Sequence, residues 1–113
     1  MSERIPETMK ALVAYGKGDY RLEGSWPTPE CADDDVIMKV EGCGVCAGDL
    51  KCMHGADMFW GGNGQPSWVE PPFIPGHEFV GIAVRVGKNV RGVSVGDRLT
   101  ADIERRVHEC RHA

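Results

Sequence analysis

The sequence predicts a mostly β fold, a small barrel with one short helix and a long ordered loop, and three observations carry that expectation. The chain has 113 residues, a length that suits one domain and leaves no room for two. Its fifteen glycines and seven prolines are spread along it and cut it into short segments, which excludes long helices. Apolar residues recur with period two at Val36, Met38 and Val40 and again at Val80, Ile82, Val84 and Val86, the spacing of strands with one buried face.

Taken in order, Met9 to Tyr15 reads as a first strand, and Tyr20 to Leu22 returns against it after a turn at Gly16 to Gly18. The strand around Val36 to Val40 follows. Ala47 to His54 is the one segment of helical character, bounded by Gly44 and Gly55. Met58 to Pro75 carries Trp60, Trp68, four prolines and Gly61, Gly62 and Gly64, and reads as an ordered loop. Its aromatic side chains are expected to cover an end of the barrel, with a substrate entrance as the alternative. After the strand from Val80 to Val86, a turn at Gly87 to Asn89 and then Gly96 and Asp97 lead into a last strand through Leu99 and Ala101. No internal repeat is visible.

With 42% hydrophobic and 27% charged residues, the chain has the balance of a soluble globular protein. The net charge of -4 comes from interspersed acids and bases without a basic stripe, which argues against a nucleic-acid partner. No stretch approaches the length of a membrane span, and the opening residues lack the apolar centre of a signal peptide, so a cytoplasmic location is expected. Five cysteines, at 31, 43, 46, 52 and 110, are an odd number in a chain with no mark of secretion, which argues against disulfides. Cys31 and Cys52 read as small packing residues.

The chemistry is carried by Gly44-Val45-Cys46-Ala47-Gly48-Asp49 and, about thirty residues on, Pro75-Gly76-His77-Glu78. Together these supply a thiolate, an imidazole and carboxylates, the ligand types zinc takes, each beside a strand end. The competing readings are a satisfied histidine in a barrel wall for His77 and a charged edge residue for Glu78. An unpaired carboxylate before so apolar a strand would be costly, which favours a partner for Glu78. Cys43 and Cys46 also form a C-x-x-C pair, a pattern shared by zinc knuckles and thioredoxin-like redox sites. Both rank lower, because a structural zinc needs four ligands and no second C-x-x-C pair exists; Cys43 reads as packing.

In Cys46 to Asp49, in Gly76 to Glu78 and in the stretch PGHEFVGIAVRVGKNVRGVSVGDRL, the sequence resembles the N-terminal GroES-like catalytic domain of zinc-dependent medium-chain alcohol and polyol dehydrogenases. The stretch CGVCAGDLKCMHGADMFWG is similar to the sorbitol, erythritol and threonine dehydrogenase branch. The resemblance covers residues 1–113 as one domain and implies that Cys46 and His77 ligate a catalytic Zn2+. It makes Glu78 a carboxylate able to approach the metal and Asp49 the partner that orients His77. The implied function is to bind zinc and an alcohol or polyol substrate in an NAD(P)-dependent oxidoreductase.

Several positions depart from the family pattern. Members commonly have Ser or Thr two residues after the first zinc ligand, where its hydroxyl starts a proton relay, and this chain has Gly48. Lys51 stands where some relatives place a relay histidine, but a lysine is ordinarily protonated at neutral pH and makes a poor base. The proton is then expected to leave through water, Lys51 or a substrate hydroxyl. Of the cysteines expected at 107, 110 and 113 in the structural-zinc lobe only Cys110 is present, so a structural zinc is not expected unless His108 or His112 substitutes, and the tail from about residue 103 is expected to be irregular. No glycine fingerprint opening a helix of adequate length occurs, and Gly61-Gly62-Asn63-Gly64 lies in a proline-flanked loop. A nicotinamide-binding Rossmann domain is therefore expected to be separate or missing, leaving these residues inactive alone. The alternative function is a non-catalytic GroES-like binding or assembly module; a third reading is a zinc-storing or redox protein using Cys43 and Cys46.

Overall fold

The computed structural model describes residues 4–101. Strands β1 (Thr8–Gly16), β2 (Asp19–Pro27) and β3 (Val36–Gly44) precede the helices α1 (Ala47–Met53) and α2 (Asp57–Trp60), and β4 (Glu78–Val86) and β5 (Arg98–Thr100) follow. The mostly β expectation holds. The strands form two antiparallel sheets, β1-β2 and β3-β4-β5, which do not close into one continuous barrel among the described residues. The expected irregular tail, with His108, Cys110 and His112, lies outside the described residues.

β1 alternates as its sequence suggests, with Ala11 and Val13 buried between exposed Lys10 and Leu12. β2 runs past Leu22 as far as Pro27 and pairs with β1 from Gly16↔Asp19 to Thr8↔Pro27. Nothing apolar and periodic marks that extension, where Glu23 pairs with Ala11 and Trp26 with Met9 across an irregularity in the ladder.

In β4 the simple alternation fails, and the reason is visible in the register. Ile37 pairs Arg85 whereas Met38 pairs Ala83, so Val84 is an extra residue on the β4 side. Such a bulge turns successive side chains away from strict alternation, which is how Ala83 and Val84 both come to be buried while Val80 is exposed. A second irregularity lies between Val40 and Gly42. Between the two, a Cβ on Gly81 would come within 2.3 Å of the Lys39 carbonyl oxygen, so only glycine fits there.

The core of the described residues is small: Ala11, Val13 and Ala14 from β1, Cys52 from α1, and Ala83 and Val84 from β4. The expected loop is indeed ordered, although its start is the helical turn α2, too short for any periodicity to announce. Backbone N–H groups of Trp68 and Val69 both donate to the Phe59 carbonyl, and Phe73 exchanges two backbone hydrogen bonds with Ala14 of β1. Trp60 donates its indole N–H to the Cys52 carbonyl at 2.7 Å, tying the loop to α1. Trp68 stacks obliquely on Phe59 but remains largely exposed, so it does not cover a barrel end. No described helix is long and apolar enough to cross a membrane.

Candidate metal centre

The pairing of β3 with β4 is what brings the two motifs together. The ladder runs as far as Gly44↔Glu78, so the chain leaves β3 for Cys46 at the same end of the sheet where His77 enters β4. Gly44 faces Glu78 across the ladder, where a Cβ would be in ordinary contact at 3.5 Å from the Cβ of Glu78. On the other side, Gly76 has φ +109, and a Cβ on it would sit 3.0 Å from the Cys43 sulfur. The positive φ favours glycine at the residue that delivers His77, and the nearby sulfur leaves a side chain little room.

Cys46 is the N-cap of α1, and its backbone N–H donates to Asp49 Oδ2 at 2.9 Å. That bond fixes the Asp49 carboxylate and leaves its other oxygen, Oδ1, 3.3 Å from His77 Nδ1. An imidazole that donates from Nδ1 presents a bare Nε2, and here Nε2 lies 3.1 Å from Cys46 Sγ and 3.7 Å from Glu78 Oε2. One ligand atom from each of Cys46, Asp49, His77 and Glu78 can be chosen so that all lie within 4.8 Å of one another. The set of thiolate, imidazole and carboxylate suits zinc, with Cys46, His77 and Glu78 as the residues that would hold it and Asp49 behind His77. The side chains of Asp49 and His77 are 18% and 32% exposed and that of Glu78 is 51% exposed, so the group opens to solvent on its Glu78 side.

Other candidate residues are placed apart from this cluster. Cys43 is exposed and not one of the four grouped side chains, its sulfur lying against the Gly76 turn. Lys51 stands exposed on α1, outside the group. Gly48 faces it: a Cβ there would be 3.4 Å from Cys46 Sγ and 3.8 Å from His77 Cε1. Cys52 is buried as expected, whereas Cys31 is only half-buried. Sequence reasoning missed the contact between Cys43 and Gly76, for which a glycine before the histidine is the only signal. It also missed Tyr20, whose hydroxyl is buried beside the Cys52 thiol. Burial is the main reason the Tyr20 phenol is held well above its ordinary range, with the neighbouring Cys52 thiol and Asp49 adding to the shift.

The family model of the alcohol dehydrogenase GroES-like domain matches residues 32–113. The erythritol/L-threitol dehydrogenase of Mycolicibacterium smegmatis is 44% identical over 105 residues, which is 90% of this chain and 29% of that protein. A protein of Sinorhizobium meliloti provisionally described as a zinc-binding dehydrogenase, solved bound to NADP, has a TM-score of 0.70 at 34% identity, over 86% of this chain and 25% of its own. The 2R,3R-butanediol dehydrogenase of Bacillus subtilis has a TM-score of 0.67, also at 34% identity, over 80% of this chain and 26% of its own. The chain thus spans less than a third of the length of these relatives.

Proposed function

The chain belongs to the alcohol dehydrogenase GroES-like domain family, the N-terminal domain of zinc-dependent medium-chain alcohol and polyol dehydrogenases, and from that premise we propose that it binds zinc and substrate in an NAD(P)-dependent oxidoreductase acting on a secondary alcohol or polyol. The observation that carries this reading is the approach of Cys46 Sγ and His77 Nε2 to 3.1 Å, with carboxylates on both sides of the imidazole. Zinc, when bound, supplies a Lewis acid that polarises the substrate oxygen.

The residues of the chain do the rest. Asp49 holds the His77 ring by its Nδ1 and the start of α1 by the Cys46 N–H, so one carboxylate aligns two ligands. Glu78, more exposed than its neighbours, is free to approach the ion or to turn toward solvent. Gly48 offers no hydroxyl to receive the alcohol proton, which then leaves through water, Lys51 or a hydroxyl of the substrate. The nicotinamide is assigned to a nucleotide-binding domain, because the described residues contain no strand-helix-strand unit of the kind that holds a dinucleotide. These 113 residues by themselves are expected to bind zinc without turning over. A cytoplasmic location is proposed with it, and cell fractionation is its test.

The experiment is a pair of measurements. Metal analysis of the dialysed protein should find one zinc per chain, and a longer protein carrying this sequence should reduce NAD(P) with a secondary alcohol or polyol as donor. No zinc, or NAD(P) reduction by the 113 residues alone, contradicts the reading.

A further inference from the structure

We propose that Asn63 is a site of self-modification, at which the backbone nitrogen of Gly64 closes on the asparagine side chain and the aspartate or isoaspartate that results sets a carboxylate against Asp57 and opens the turn. Gly62 and Gln65 exchange two backbone hydrogen bonds, of 3.0 and 2.9 Å, and Asn63 and Gly64 make the two-residue turn between them. Both have positive φ, 49 and 81, as such a turn requires. Asparagine followed by glycine satisfies that demand. The same pair joins an amide side chain to the least hindered backbone nitrogen a neighbour can offer.

Asparagine is chemically labile, and access of the following nitrogen decides which asparagine reacts. The chain has two, Asn63 and Asn89, and both are exposed. After Asn89 comes the β-branched Val90, whose N–H donates to the Gly87 carbonyl at 3.1 Å. After Asn63 comes Gly64, exposed, with open space where a Cβ would stand, and its N–H donates to no backbone carbonyl among the described residues. In the reaction this nitrogen gives its proton to water and forms a bond to Asn63 Cγ; the Cγ–Nδ2 bond breaks and ammonia leaves. Water then opens the succinimide at either carbonyl, giving aspartate or isoaspartate.

Asp57 makes the change felt. Its Oδ2 accepts a hydrogen bond from Asn63 Nδ2, the group that departs, and its Oδ1 lies 3.1 Å from where a Cβ on Gly62 would stand. Conversion removes the donor and leaves a carboxylate facing a carboxylate, and isoaspartate also lengthens the backbone of a two-residue turn. Asp57 opens α2, whose Trp60 holds the Cys52 carbonyl, so the turn is tied through α2 to α1.

The test follows the 113-residue chain kept at mildly alkaline pH, by peptide mass spectrometry with aspartate and isoaspartate separated. Asn63 should convert to a mixture of the two acids while Asn89 stays an amide. An Asn63 amide that lasts as long as that of Asn89, or an acid free of isoaspartate, overturns the ring closure. The consequence is read by limited subtilisin digestion. Asn63→Asp should be cut between residues 61 and 65 about tenfold faster than the parent, the effect of losing a hydrogen bond to a charged group. Combining it with Asp57→Asn, which exchanges amide and carboxylate, should return the rate to within about twofold of the parent. Equal cutting of the parent and Asn63→Asp, or no recovery in the double variant, overturns the role of Asp57.

Discussion

Asp49 shows how much one side chain can settle. Its two oxygens divide between the Cys46 N–H and the His77 ring, so a change that keeps its shape but removes its charge should loosen both ligands. Asp49→Asn is expected to weaken zinc binding by about 10- to 100-fold, read by competition with a chromophoric chelator. Cys46→Ala and His77→Ala should abolish stoichiometric zinc, whereas Cys43→Ala should retain it, because Cys43 stands outside the grouped donors. Equal loss from Cys43→Ala and Cys46→Ala in metal analysis would favour the redox or storage reading. The donor set was legible in the sequence because Cys46, Asp49, His77 and Glu78 sit in two short motifs beside strand ends. Gly76 and its contact with Cys43 were not, since a positive φ and a distant sulfur leave no pattern in the order of residues.

At the level of elements, the ladder between β3 and β4 governs the geometry of the site. It is also where sequence periodicity misleads, because the extra residue at Val84 breaks the alternation that Val80 to Val86 displays. β1 and the first helix could be read from apolar spacing and flanking glycines. The outer half of β2 and the single turn α2 could not, as one is a polar ladder and the other too short to have a period. Gly81 sits between the two irregularities of the β3-β4 pair, with Lys39 backbone where a side chain would go. Gly81→Ala should therefore destabilise the fold by about 3 kcal/mol. Because the ladder carries the motifs toward each other, the same variant should lose zinc affinity. A melting curve and a zinc titration that both match the parent would show that the ladder does not set the site.

Over the whole molecule, the core among the described residues is small, so a single buried group can shape the response to pH. Tyr20 is such a group. Its phenol is raised by burial, so the folded state holds the proton more tightly than the unfolded one; the associated stability is complete below the ordinary phenol range and falls as pH rises above about 10. Tyr20→Phe should remove that alkaline loss. Because the only side chain beside the hydroxyl that can bond it is the Cys52 thiol, a weak partner, the substitution should change stability at neutral pH by no more than about 1 kcal/mol, and denaturant melts at the two pH values check both points.

The convergence of two motifs on one cation remains the centre of the account, and anomalous X-ray scattering at the zinc edge from crystals grown with zinc addresses it most directly. A single strong peak about 2.3 Å from Cys46 Sγ and about 2.1 Å from a ring nitrogen of His77 is the expected result. A peak bound to other side chains, or none near these two, would contradict it.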